Sequence, residues 1–257
     1  MRLLCYFYRM RFYLNTREYI DTSCPIDISI EMSSQLPGLR AWGQGSPEIE
    51  PVCNEQFIGS VRRGGVVNFN NIRFNPHAHL THTECCGHIT HDFFSVNDVL
   101  KTFFFEAQLI TIEPQGSNDK VVTLNQLKQI PIYEGVKAIV IRTLPNNNDK
   151  LTANYTNTNP PFLENGIADF LIDKGVEHLL VDLPSVDQER DEGVLAFHHA
   201  FWNVPLSPDM VRTITEFVYI PNHILDGQYI LELQVSPIRN DASPSRPVLY
   251  KKNRVIS

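Results

Sequence analysis

The chain has 257 residues, 42% of them hydrophobic, and a formal net charge of −7, because 22 lysines and arginines stand against 29 aspartates and glutamates. This length supports one large domain with its own core, and the acidic balance without a basic block excludes nucleic acid and anionic membranes as main partners. The five cysteines are odd in number and lack CxxC spacing, which argues against a disulfide scaffold and favours a cytoplasmic setting.

The N-terminal segment, residues 1–22, begins apolar and basic. Arg9 and Arg11 interrupt the apolar run too early for a signal peptide or a membrane span. We interpret residues 1–22 as an N-terminal extension or a first strand, with Met10 as an alternative start, and place the main domain at residues 23–257.

Short runs rich in Val, Ile, Leu and aromatic residues recur along the chain and predict strands. These runs are residues 66–74, 107–112, 138–142, 179–183, 213–220 and 229–235. Helices are predicted over 95–104, over 124–130 after an N-cap at Thr123, and over 162–174, where an apolar stripe repeats at helical spacing. This mixture predicts a single α/β or α+β domain.

A long polar, Asn-rich stretch covers residues 143–161. A loop of this length inside a compact domain is typical either of a lid over a site or of a solvated excursion, and the sequence leaves both open.

A dense group of histidines lies between residues 75 and 88, where four imidazoles accompany one carboxylate: His77, His79, His82, His88 and Glu84. Neutral imidazole and carboxylate are common ligands of zinc and similar divalent metals, so this density predicts a metal site. In an extended chain His82 and Glu84 point to the same side, which would let Glu84 bridge two metal ions. A single zinc that only stabilises a loop is the alternative.

The neighbours of this group are interpreted as supporting residues. His91 and Asp92 are expected to assist the ligands or to cap a helix rather than to bind metal. Cys85 and Cys86 are expected to pack in the core, although thiolates also bind zinc. Gly87 permits a turn or a close backbone approach before His88.

A second group of candidates lies further along the chain. Glu216 interrupts an apolar β-run, and a buried carboxylate there needs a partner, which a metal would supply; a solvent-facing position is the alternative. His198 precedes Phe201 and Trp202, which could pack on an aryl group or in the core. Asp182 and Asp187, at and after a strand end, are candidates for function or for simple capping. These candidates are read from residues 182–187, 198–202 and 216.

Together these segments resemble the metal-dependent cyclase family, which includes bacterial-type kynurenine formamidases and isatin hydrolases. The segments that carry the likeness are Thr81-His82-Thr83-Glu84, Gly87-His88, residues 182–187, His198-His199-Ala200 and the strand with Glu216. The likeness extends from Asp27 to Leu249. Glu84 stands where the family has aspartate, Leu80 where it has glycine, and Cys85-Cys86 where it has alanine-proline.

The resemblance implies a swivelling β/β/α domain, a homodimer and a dinuclear centre of zinc, with manganese as an option. It places His77, His82 and Glu84 at one metal and Glu84, His88, His198 and Glu216 at the other, with His79 competing with His77 as first ligand. The ligand positions are residues 77, 82, 84, 88, 198 and 216.

The activity implied by the resemblance is hydrolysis of N-formyl-L-kynurenine by a metal-activated water, with Glu216 or His88 carrying the proton. The substrate is thus a small molecule. The alternatives are a hydrolase of another cyclic amide, ester or lactone, and a non-catalytic metal-stabilised binding protein, which crowding by Leu80 would favour.

Overall fold

The computed structural model of the protein describes residues 10–35 and 37–255. Its strands are β1 (Arg11–Tyr13), β2 (Glu18–Asp21), β3 (Ile26–Asp27), β4 (Glu48–Pro51), β5 (Asn70–Arg73), β6 (His82–Glu84), β7 (Phe104–Ile112), β8 (Val121–Val122), β9 (Ala138–Thr143), β10 (Phe162–Leu163), β11 (His178–Val181), β12 (Thr213–Glu216), β13 (Gly227–Glu232), β14 (Ala242–Pro244) and β15 (Val248–Arg254). Its helices are α1 (Pro76–His79), α2 (Val96–Val99), α3 (Leu124–Lys128), α4 (Gly166–Asp173) and α5 (Ala196–Phe201). Short 3-10 helices cover Val61–Arg63, Cys86–His88 and Asn148–Thr152.

The main sheet has eleven strands in the order β1-β2-β15-β13-β7-β9-β11-β12-β6-β14, and β3 also pairs with β15. Its centre is parallel, since β7, β9, β11 and β12 run side by side in the same direction. Antiparallel strands flank this centre, with β6 and β14 on one side and β13 and β15 on the other. The mixed sheet confirms the predicted α/β class.

Both faces of the central sheet are buried. Along β9, Ile139 and Ile141 pack in the apolar cluster that includes residues of α3, α4 and α5. The alternate residues Ala138 and Val140 pack in a second cluster on the opposite face. A strand covered on both faces reads as a continuous apolar run, which is why the sequence of β9 shows no alternation.

The sequence predicted the helices with unequal success. α3 begins after Thr123, whose side chain forms a reciprocal capping box with Gln126, as expected. The helix predicted over 162–174 is shorter, because Phe162 and Leu163 pair with β8 and α4 begins at Gly166. The helix predicted over 95–104 is also too long, since α2 ends at Val99 and β7 begins at Phe104.

The long polar stretch at 143–161 is anchored to the sheet rather than free. Lys150 Nζ lies 2.7 Å from Asp182 Oδ2, and the backbone N–H groups of Asn157 and Asn159 donate to the Glu189 carboxylate. Leu151 packs against an apolar cluster as well. These contacts hold the stretch against Asp182, which follows β11, and against the loop that contains Glu189.

The N-terminal strands extend the main sheet at one edge, because β2 pairs with β15 and β1 pairs with β2. Residues 1–9 of the predicted N-terminal segment lie outside the described residues. Among the residues that the structure describes, no helix has the length and apolar character needed to cross a membrane.

Candidate metal centre

Strand β6 carries the centre of the site. It lies between β12 and β14, so that His82 faces Glu216 in the register on one side and Glu84 faces Ala242 on the other. His82 and Glu84 are two residues apart in this strand and project to the same side, as their spacing predicts. Thr83 projects to the opposite side, where its hydroxyl lies 2.7 Å from that of Thr215.

Helix α1 brings His77 to this strand. The Asn75 side chain accepts a hydrogen bond from His77 N–H at 3.0 Å and caps the helix, and Pro76 fills its first turn. His79 points elsewhere, with Nδ1 accepting from Asn75 N–H at 2.9 Å and Nε2 lying 2.8 Å from the Gly45 carbonyl. The structure thus places His77, and not His79, beside Glu84.

Glu84 is the hub of a buried cluster. Its Oε2 lies 3.0 Å from His77 Nδ1 and 4.0 Å from both His82 Nε2 and His88 Nε2. Its Oε1 lies 3.0 Å from His198 Nε2. Two groups of three potential ligands result, His77 with His82 and Glu84, and Glu84 with His88 and His198.

Gly87 allows the turn that carries His88 into the cluster. A Cβ added at Gly87 would lie 2.3 Å from the Phe94 carbonyl oxygen, so any larger residue would force the backbone apart. This close approach agrees with the expectation from the sequence. The His88 side chain remains 31% exposed and is therefore accessible from the adjoining cavity.

Asp187 fixes the orientation of His198. Its carboxylate lies 2.6 Å from His198 Nδ1 and accepts the backbone N–H groups of Phe197 and His198 at the start of α5. Holding Nδ1 in this way turns Nε2 toward Glu84. Asp187 is therefore both a helix cap and a support for a candidate ligand.

Glu216 lies at the edge of the cluster on the His82 side. It is 3% exposed, its Oε2 is 3.4 Å from His82 Nε2, and its Oε1 accepts from Val186 N–H at 3.2 Å. The resemblance assigned Glu216 to the metal bound by His88 and His198, but the structure places it beside His82, and it belongs to none of the three groups of potential ligands among the described residues. The next residue, Phe217, is buried with a φ of 57°, a strained conformation that turns the chain directly after Glu216.

Asp241 is the residue that the sequence did not reveal. Its Oδ2 lies 3.0 Å from His77 Nε2 and 3.4 Å from His88 Nδ1, which makes a third group of potential ligands. Only the pairing of β14 with β6 brings residue 241 to the cluster, and no local motif surrounds it. An acidic residue just before a strand that ends at Pro244 is a weak signal taken alone.

The buried carboxylates and imidazoles perturb each other strongly. Burial acts to raise the pKa of Glu84, but His88, His198 and His77 outweigh it and hold that pKa well below its usual value. Burial acts to lower the pKa of His77, yet Asp241 and Glu84 raise it to about 10. The pKa of His198 is likewise raised to about 10 by Asp187 and Glu84 against the effect of burial.

The donor set fits a divalent metal. His82 Nε2 and Glu84 Oε2 are buried and make no hydrogen bond of good geometry in the described chain; their neighbours are ion-pair contacts, to Glu216 at 3.4 Å and to His77 at 3.0 Å. Such atoms are costly unless an ion or water satisfies them. Tetrahedral zinc with ligands at about 2.0–2.1 Å separates them from one another by roughly 3.3 Å. The 3.0–4.0 Å spacings around Glu84 bracket that value.

A cavity of about 320 Å³ opens onto the cluster, a size at the low end for small-molecule sites. His77, His88, His198 and Glu216 face it. Its other walls are Trp42, Asn75, Ser185, Gln188, Glu189, Asp191 and Leu195.

Several candidate residues take no part in the cluster. His91 and Asp92 have exposed side chains, so they neither assist a ligand nor cap a helix there. Phe201 and Trp202 are fully buried in the core, and Leu80 lines a different cavity. Cys85 and Cys86 are buried in two apolar clusters, in agreement with the expected packing role.

Comparison with known proteins supplies the family context. A curated kynurenine formamidase from Bacillus cytotoxicus is 28% identical over 227 residues, which cover 87% of this chain and 96% of that protein. The kynurenine formamidase from Bacillus mycoides is 26% identical over 238 residues, covering 92% and 99%.

Solved structures show the same fold at lower identity. A predicted metal-dependent hydrolase from Bacillus stearothermophilus superposes with a TM-score of 0.61 at 16% identity, over 88% of this chain and 98% of that one. Isatin hydrolase A from Labrenzia aggregata gives 0.60 at 14% identity, over 88% and 93%. The family model described as putative cyclase matches residues 26–188, which is more than half of the sequence and includes Glu84 and Asp187. The chain therefore belongs to the putative cyclase family.

Proposed function

We propose that the protein is a metal-dependent amidohydrolase that converts N-formyl-L-kynurenine to kynurenine and formate. The observation that carries this proposal is the buried Glu84 carboxylate, which lies within 3.0–4.0 Å of four imidazoles at the end of an open cavity. Relatives named kynurenine formamidase, which align over nearly their whole length, support the choice of substrate.

Two zinc ions are the proposed cofactors, with manganese as the alternative. His77, His82 and Glu84 would hold one ion, and Glu84, His88 and His198 would hold the other, with Glu216 next to the pair. When bound, such ions polarise a carbonyl and bring the pKa of water close to neutrality, to about 7 for zinc.

The chain itself provides binding, orientation and proton transfer. Asp187 keeps His198 Nε2 directed at Glu84, and the Val186 N–H keeps the Glu216 carboxylate in place. Glu216 faces the cavity and belongs to none of the ligand groups, so it is the proposed carrier of the proton from the attacking water to the leaving aryl amine. His88 would be free for this step only if it did not bind a metal. The formyl C–N bond breaks, the hydroxyl of water ends on formate, and the amine nitrogen receives the proton.

The surroundings of the site favour catalysis over a purely structural metal. Leu80, which could have crowded the site, lines a separate cavity beside Leu39 and Leu151. His88 stays partly exposed, whereas the ligands of a structural zinc form a closed shell.

We further propose that the catalytic unit spans residues 23–257, acts as a homodimer in the cytoplasm and takes a small-molecule substrate. Cys24, Cys53, Cys85 and Cys86 are free thiols, which supports a reducing compartment. The dimer rests on the family resemblance, and light scattering of the purified protein tests it directly.

The direct test is turnover of N-formyl-L-kynurenine by the purified full chain, first loaded with zinc or manganese and then stripped with a chelator. We expect metal-dependent release of kynurenine and formate, and recovery when metal is returned. Isatin and simple esters and lactones, run in parallel, distinguish hydrolases of other substrates.

His82→Ala and His91→Ala form a matched pair for this test. His82 is buried in the cluster, whereas the His91 side chain is exposed, so only the first variant should lose metal and activity. Wild-type protein that holds two metals but does not hydrolyse the formamide would exclude the proposed substrate. Protein that binds no metal would exclude the proposed function altogether.

A further inference from the structure

Asp241 touches two of the candidate ligands without belonging to the groups centred on Glu84. One oxygen, Oδ2, lies 3.0 Å from His77 Nε2 and 3.4 Å from His88 Nδ1. The two rings are stacked, with centroids 4.3 Å apart, so a single carboxylate serves both from one edge.

The backbone around Asp241 is fixed to the strand that carries Glu84. Cys85 N–H donates to the Asp241 carbonyl at 3.1 Å, and Ala242 pairs with Glu84 in the register of β14 and β6. On the other side, Val96 N–H donates to the Asn240 carbonyl at 2.9 Å. The carboxylate therefore has a defined position relative to the cluster before any ligand arrives.

His77 has two ring nitrogens, and only one of them faces Glu84. Nδ1 lies 3.0 Å from Glu84 Oε2, and Nε2 lies 3.0 Å from Asp241 on the far side of the ring. A carboxylate that accepts Nε2–H keeps the proton on that nitrogen, which leaves the Nδ1 lone pair free for a metal. Asp187 plays the same part for His198, where the carboxylate contacts Nδ1 and Nε2 faces Glu84.

We propose that Asp241 is a positioning residue that sets the tautomer and the ring orientation of His77, and supports His88, so that both imidazoles are ready to bind metal. This inference rests on the metal centre of the proposed function and extends it to a residue about 150 positions downstream of the histidine cluster. In this proposal Asp241 supports the ligands and does not bind metal itself, because the nitrogens that would be left for a metal, His77 Nδ1 and His88 Nε2, face Glu84.

The test measures metal affinity by competition with a chelator, in the full-length protein, for the wild type, Asp241→Ala, Asp241→Asn and the control Asp92→Asn. The amide oxygen of asparagine still accepts Nε2–H, whereas alanine offers no acceptor. We expect zinc affinity to fall about 10- to 100-fold in Asp241→Ala, and by less than about threefold in Asp241→Asn. Asp92 is exposed, so Asp92→Asn should match the wild type.

The number of zinc ions bound at saturation separates positioning from ligation. We expect the wild-type number in both Asp241 variants, and an altered visible spectrum of bound Co²⁺ only in Asp241→Ala. If both variants lose one zinc, Asp241 is a ligand and the inference is wrong. If Asp241→Ala binds zinc as tightly as the wild type, Asp241 has no role.

Folding and the underlying function are controlled separately. Unfolding midpoints in chelator check that each variant is folded, and Asp241→Val, which also offers no acceptor, replaces Asp241→Ala if the alanine variant does not fold. Wild-type protein that binds no zinc would overturn the proposed function together with this inference. Wild-type binding with an unchanged Asp241→Ala would overturn the inference alone.

Discussion

Two buried carboxylates lie on or directly after strands of the main sheet that are separated by β12, and their surroundings differ. Asp182, after β11, accepts hydrogen bonds from the backbone and hydroxyl of Thr143 and pairs with Lys150 Nζ at 2.7 Å. Glu84, on β6, has an oxygen that makes no hydrogen bond of good geometry in the described chain and contacts only imidazoles, and the neighbouring His82 Nε2 also makes no such hydrogen bond.

The contrast separates a structural ion pair from a binding site. In the cluster of Asp182, Thr143 and Lys150, the carboxylate accepts hydrogen bonds from both neighbours and requires no external ion. This cluster joins the stretch at 143–161 to the sheet. The Glu84 cluster brings carboxylates and imidazoles together without completing the hydrogen bonds of His82 Nε2 and Glu84 Oε2, which is the state expected of a site that binds an external ion. Equal burial therefore does not imply an equal role.

The largest effect is expected from Glu84→Gln. The amide keeps the shape of the side chain but loses the charge that joins the two ligand groups, so turnover should fall to background and zinc content should drop. Stability in chelator should fall, because protonated His77 and His198 lose the buried charge that raises their pKa values. Zinc analysis and an activity assay check this, with the exposed Glu55→Gln as control; retention of both properties would show that Glu84 is no bridge.

Asp182→Ala is expected to lower stability without loss of metal. It leaves the half-buried Lys150 without its ion partner and the Thr143 N–H without an acceptor, so the free energy of unfolding should fall by about 3–5 kcal/mol while zinc content is unchanged. Urea denaturation measures the loss. The partly exposed pair Lys137 and Glu177 is the control, and Glu177→Ala should cost less than about 1 kcal/mol. A loss of zinc in Asp182→Ala would blur the distinction between the two clusters.

His178 shows a third way to accommodate a buried ionisable side chain, which is to keep it in its neutral form. Burial lowers its pKa to about 4, and its Nδ1 lies 2.8 Å from the Thr213 hydroxyl. Since the folded pKa is below the unfolded value, its contribution to stability is present above pH 6.5 and is lost as pH falls toward 4. As the pH falls from 6.5 to 4, the free energy of unfolding of the wild type should decrease by up to about 3 kcal/mol more than that of His178→Gln.

Denaturation at several pH values in chelator measures this difference. Chelator keeps the Glu84 cluster free of metal in both proteins, so the contribution of His178 is the difference between their free energies of unfolding at each pH. Parallel pH curves for the two proteins would show that His178 is not buried in its neutral form.

The smallest effect is expected from metal addition. Zinc at about 100 times its dissociation constant should raise the free energy of unfolding by roughly 2.7 kcal/mol in the wild type and in Lys150→Met, but not in Glu84→Gln. Thermal denaturation with and without zinc provides the measurement. A similar increase in Glu84→Gln would place the metal outside this cluster.

The sequence predicted the family, the mixed α/β class and the local half of the site. His82, Glu84 and His88 are close in the chain, so their spacing alone indicates a shared partner. Boundaries were harder to predict, because Phe162 fits a helical stripe but its backbone pairs with β8, a contact that no local pattern contains.

The second half of the site depends on tertiary pairing. Glu216 could be suspected because a carboxylate stands in an apolar strand, but Asp241 gives no such signal. Asp187 was a candidate for function or for simple capping, and only its contact with His198 in α5 shows which ligand it supports. Charged residues that are distant from the histidine cluster in the sequence can be assigned to the site only when the strand order is known.

The position of β6 between β12 and β14 also bears on how the protein folds. The cluster needs residues from 77–88, from 198–216 and from 241 onward, so it closes only after contacts of very high sequence separation have formed. Such non-local pairing is slow compared with the formation of local helices. The site is accordingly a late product of the folding reaction, and time-resolved zinc uptake after dilution from denaturant would follow its last steps.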